Sequence, residues 1–121
     1  MPHITLQHHG LNGRGYDFRR FFKQLHDLLN RTAGIPHVHC KSRILPIQDA
    51  WIGDGNEDQE FIHLEIRLLE GRSPDLKKEI GDGALTLLTE TLGDDRPGRV
   101  QISVELIDMQ RNQYFKFPPL T

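Results

Sequence analysis

Leu28-Leu29-Asn30-Arg31-Thr32-Ala33-Gly34 and Leu87-Leu88-Thr89-Glu90-Thr91-Leu92-Gly93 are two copies of one pattern: a leucine pair, four residues and a glycine. Each closes a helical stripe. Ahead of the first, Phe18, Phe21, Phe22, Leu25, Leu28 and Leu29 recur at helical spacing, with Arg19, Arg20, Lys23 and Asp27 outside. Asp17 is placed to cap this helix, and Gly34 with Pro36 to stop it. Ahead of the second, Leu76, Ile80, Ala84, Leu87, Leu88 and Leu92 form the stripe, with Ser73 as cap, Pro74 at the first helical position and Gly93 at the end. Gly81 and Gly83 each cost this helix up to ~1 kcal/mol relative to alanine, which points to close packing there.

Working outward, strands flank both helices. Ile4 and Leu6 alternate with His3, Thr5 and Gln7, and after the first helix Val38, Cys40, Ser42 and Ile44 alternate with His39, Lys41, Arg43 and Leu45. Ile62, Leu64, Ile66 and Leu68 oppose Phe61, His63, Glu65 and Arg67; after the second helix, Val100, Ile102, Val104 and Leu106 oppose Gln101, Ser103 and Glu105. The order is β-α-β followed by β-α-β, a weak internal repeat. It predicts one α+β domain over residues 1–121, with two helices on one face of a four-stranded mixed sheet. The other sheet face is polar, and the tail from Asn112 to Thr121 holds Tyr114, Phe115 and Phe117, too apolar to dangle free. Together they predict an oligomer. The same element order also belongs to ferredoxin-like binding modules, a non-catalytic rival.

A chain of 121 residues with net charge -2 and dispersed Lys and Arg implies no polyelectrolyte partner, so no nucleic acid is expected. The lone Cys40 cannot form an intrachain disulfide and suits a reducing compartment. No run is apolar enough for a bilayer and the N-terminus lacks signal-peptide features, so a cytoplasmic protein with no membrane partner is expected. His37, His39 and His63 lack further ligands at metal spacing, and the calcium-like Asp54-x-Asn56-x-Asp58 run has Gln59 where the loop needs glycine. No metal and no cofactor is expected.

The chemistry is expected at the chain start, Met1-Pro2-His3. Trimming Met1 would leave Pro2 with a secondary amine at the mouth of a strand. An α-amine titrates at about 8, and cations or desolvation lower that value. Such a group serves as general base near neutrality without any side chain. With Met1 attached, the Pro2 nitrogen is a tertiary amide and has no basicity. Arg72 sits between a strand end and a helix N-terminus, where backbone amides already favour anions. Lys41 and Arg43 share a polar strand face. Three cations and an amine suit a small dicarboxylate or keto acid.

Pro2-His3, Lys41-Ser42-Arg43, Trp51 with Asp54-Gly55, Phe61-x-His63, Gly71-Arg72-Ser73 and Ser103-x-Glu105 are collinear with the pattern of 5-carboxymethyl-2-hydroxymuconate isomerase. The chain resembles that family from residue 2 to the tail. The resemblance implies a tautomerase-superfamily fold assembled as a homotrimer, and a keto-enol isomerase of aromatic-acid breakdown. It implies Pro2 as the base that moves a proton from an enol hydroxyl to carbon. Arg72 falls on an arginine that engages substrate oxygen. The family's second arginine falls on Lys41, which keeps the charge and loses the bidentate fork; Arg43 is the alternative contact. Hydratase, dehalogenase and decarboxylase chemistry remain open within the same fold.

Overall fold

The computed structural model describes residues 1–11, 15–55, 58–93 and 100–119. Asn56 and Thr121, which the sequence reading used, lie outside them. The elements are β1 (His3–His9), α1 (Phe18–Ala33), β2 (Lys41–Pro46), β3 (Glu60–Leu69), α2 (Pro74–Leu92) and β4 (Val100–Met109), with short 3-10 turns at His37–His39 and Arg111–Gln113.

The helix ends follow their local chemistry. The Asp17 carboxylate accepts the Arg20 N–H at 3.0 Å, and the Ser73 hydroxyl accepts that of Leu76 at 3.1 Å. Gly34 ends α1 in the left-handed region, φ 67°, and returns its N–H to Asn30, an arrangement glycine adopts without strain. Phe21, Leu25, Leu29, Ile80, Ala84 and Leu88 are fully buried, facing Ile4, Leu6, Ile62, Leu64 and Ile66 of the sheet. Each large side chain so buried contributes about 1.5–3 kcal/mol. A methyl on Gly83 would lie 2.8 Å from Leu28 Cδ2, so this glycine lets the two helices close on each other.

The strand order is β2-β1-β3-β4. β1 and β2 are parallel neighbours, β1 and β3 are antiparallel, and β3 and β4 are again parallel. The two strands of each β-α-β unit are thus adjacent, which gives a mixed sheet with both helices on one face. A ferredoxin-like module separates those strands with another strand, so that rival is excluded.

One expectation needs correction. Residues 37–39 form a 3-10 turn instead of opening the second strand, which starts at Lys41. Pro36 precedes the turn, and the Cys40 N–H bonds back to His37 O at 3.0 Å, so local turn hydrogen bonds win over alternation. His37 and His39 therefore do not share a strand face. The His37 ring instead meets Asp27 at 2.7 Å, and hydrogen bonding to that ring holds the Asp27 carboxyl below its usual range. Tyr114 is half-buried, but Phe115 and Phe117 are 88% and 93% exposed on the single chain. Among the described residues of one chain, nothing covers them.

Candidate active site

The site grows from the end of the sheet where β1 begins. Pro2 is buried, since its parity is that of Ile4 and Leu6, and its carbonyl accepts the Lys41 N–H at 3.1 Å. That bond extends the β1–β2 ladder by one step and draws Lys41 to the chain terminus. Arg72 reaches the same end from the other side. β3 runs antiparallel to β1, so its exit lies beside the entry of β1. Gly71, at φ 116°, turns the chain towards α2, and Arg72 folds back so that Nη1 donates to Leu69 O at 3.0 Å.

Charge and burial meet at the first nitrogen of the chain. The terminal amine of Met1 is held below its ordinary value, first by burial and then by Arg72, with Lys41 and Lys116 acting the same way and Cys40 opposing them. Burial in turn pushes the Cys40 thiol up. Pro2, Arg72 and Lys41, singled out from sequence, are thereby brought to one place. Lys41 is exposed, with Nζ donating to His39 O at 3.3 Å.

Arg43 belongs elsewhere. It stands two residues further along β2, opposite Thr5, and Arg43 Nη2 donates to His3 Nδ1 at 2.9 Å. The other ring nitrogen of His3 meets the Tyr114 hydroxyl at 2.8 Å. The sequence reading missed Lys116 and this His3–Tyr114 contact. Both join the chain start to its tail, and no spacing rule connects residues so far apart. Trp51 is exposed on its own loop, its Nε1 donating to Gly53 O at 2.9 Å. A Cβ on Gly55 would sit 2.6 Å from the indole, so this glycine lets the backbone pass under the ring.

A sequence model of the 5-carboxymethyl-2-hydroxymuconate isomerase family matches residues 2–120. The chain belongs to that family. It is thus an isomerase-type member of the tautomerase superfamily. No curated protein matches the chain. A 5-carboxymethyl-2-hydroxymuconate isomerase from Deinococcus radiodurans R1 is 24% identical, with a TM-score of 0.83 over 95% of this chain and 87% of its own. A 5-carboxymethyl-2-hydroxymuconate delta-isomerase is 18% identical, with a TM-score of 0.73 over 96% and 86%. A fused 4-OT symmetric trimer is 17% identical, with a TM-score of 0.76 over 98% and 94%. At these identities the structural likeness speaks for the fold. Among the described residues no helix is long and apolar enough to cross a membrane.

Proposed function

We propose that the chain is a cofactor-free keto-enol isomerase of a 2-hydroxymuconate-type dicarboxylate, with the Pro2 nitrogen as general base once Met1 is removed. The observation that carries this reading is the partly buried terminal nitrogen, whose pKa is lowered by burial and by the charges of Arg72, Lys41 and Lys116. Trimming turns the Pro2 amide into a secondary amine in those surroundings. Burial and the three cations favour its neutral form, which can accept a proton near pH 7. The amine takes the enol hydroxyl proton, the electron pair moves through the diene to form the ketone, and the ammonium returns a proton to carbon. Arg72 and Lys41 hold a carboxylate or the enolate oxygen as negative charge gathers there.

The same reading covers the assembly: a single domain over residues 1–121, active as a homotrimer in the cytoplasm. The exposed Phe115 and Phe117 supply surface for such contacts, and one structural relative is described as a symmetric trimer. Sedimentation equilibrium should return about three times the 14.0 kDa chain mass; a stable monomer refutes the assembly.

The decisive experiment blocks the amine. Protein whose intact mass shows loss of Met1 is compared with a variant that keeps one extra N-terminal residue, on a panel of 2-hydroxydienoates. A positioned base is worth about 10²–10⁴-fold, so turnover should fall by that factor while the melting curve stays in place. Full activity from a verified blocked terminus refutes the proline mechanism.

A further inference from the structure

A cavity of about 500 Å³ lies on the polar side of the same sheet end, lined by His3, Arg43, Arg67, Gln113, Tyr114 and the end of β4. Its hydrogen bonds have a fixed direction. A guanidinium has donors and no acceptor, so Arg43 must donate to His3 Nδ1, which is therefore bare. The imidazole is then neutral, with its proton on Nε2, and donates it to the Tyr114 oxygen. Burial, Arg43, Lys41, the chain terminus and Arg67 all lower the His3 pKa, in accord with a neutral ring. With its oxygen already accepting from His3, the Tyr114 hydroxyl is left to donate its own proton to a further acceptor.

Arg67 stands opposite His3 on β3 and adds a second donor, with one long contact to Glu65 at 3.4 Å. The carboxylate in the lining, Asp108, is matched by Lys77 at 3.1 Å. The balance of the cavity is donors and positive charge. His3 follows Pro2 in the chain, and the charge of the chain terminus acts on the His3 ring.

We infer that this cavity receives the second carboxylate of a dicarboxylate substrate, with the Tyr114 hydroxyl and the Arg67 guanidinium as its donors. Arg43 and His3 act as positioning residues, turning the Tyr114 hydroxyl into a donor aimed at the ligand. This rests on the dicarboxylate reading above and adds the residues that distinguish a diacid from a monoacid.

The test is calorimetric binding of two unreactive dienes of equal length, trans,trans-muconate with two carboxylates and sorbate with one. A charge-assisted pair of donors should make wild-type protein bind muconate about tenfold or more tighter than sorbate. Tyr114→Phe and Arg67→Gln should each reduce that ratio to about two- to threefold. Equal affinities in the wild type, no muconate binding at millimolar concentration, or a ratio unchanged in both variants would each overturn the inference. Binding needs no turnover, so the two readings separate. A preserved muconate preference in protein that is inactive after verified Met1 removal would leave the cavity assignment standing and sink the catalytic one.

Discussion

The two ends of the sheet make an instructive comparison. At one end the chain begins, and Pro2, Lys41 and Arg72 gather around the first nitrogen. At the other, β1 runs out at His9 and β3 enters at Glu60, which is only 2% exposed. There Gly10 turns at φ 85°, and a methyl on it would meet Glu60 Cγ at 2.8 Å. His9 Nδ1 donates to Ile47 O at 2.7 Å, and its ring stacks on Phe61. One end is open and positively charged; the other is packed shut around a carboxylate. The halves repeat the same β-α-β order, and in the proposed mechanism only the first, once Met1 is trimmed, offers an amine. The second half enters from a loop and has a peptide bond where the amine would be.

The comparison can be broken most severely at Arg72. Arg72→Ala removes a contact worth ~1.5–3 kcal/mol to a charged substrate, so kcat/KM should fall about ten- to 150-fold. The sign of the pH effect follows from the charge. Arg72 lowers the pKa of the Met1 amine, and in the proposed site it acts likewise on the trimmed Pro2 amine, so its loss should let that value rise and move the acid limb of the rate profile to higher pH. Burial, the larger cause, is untouched, so the rise is partial. An unshifted limb with full activity would remove Arg72 from the site.

Gly10→Ala probes the closed end. A left-handed backbone and the clash with Glu60 and the Gln59 carbonyl should cost about 1–3 kcal/mol of stability. A lower urea midpoint is expected, with kcat/KM of the folded protein unchanged. Loss of activity without loss of stability would mean that the two ends are coupled.

The smallest effect is expected at Lys41, which is exposed and screened. Lys41→Ala should lower kcat/KM by a few-fold, about 1 kcal/mol or less. Lys41→Arg should match or exceed wild type on a 2-hydroxymuconate, because it restores a bidentate fork. If Lys41→Ala is silent while Arg43→Ala is not, Arg43 is the second anion contact.

Much of this was legible in residue order. Helical stripes, their Asp17, Ser73 and glycine ends, and the alternation of β3 and β4 are local properties, set within a few residues by sterics and capping. Alternation failed at Val38–Cys40 because Pro36 and a turn hydrogen bond compete over the same short range. It also overstated β2, where Ile44 is 38% exposed because an edge strand has a neighbour on one side only.

Sequence alone determined the two helices, the order of helices and strands, the faces of β1, β3 and β4, and the candidates Pro2, Arg72, Lys41 and Arg43. Only the tertiary structure decided which of them meet. Parity placed Lys41 and Arg43 together on one strand face and could not separate them. The antiparallel β1–β3 register brings the exit of β3, and with it Arg72, beside the chain start. The parallel β1–β2 register sets Lys41 against the Pro2 carbonyl, and the returning tail sets Tyr114 on His3, to which Arg43 also turns. Capping and periodicity act over one helical turn or two residues of strand. Contacts between the chain start and residues 41, 72 and 114 exist only once the sheet has closed around a shared core.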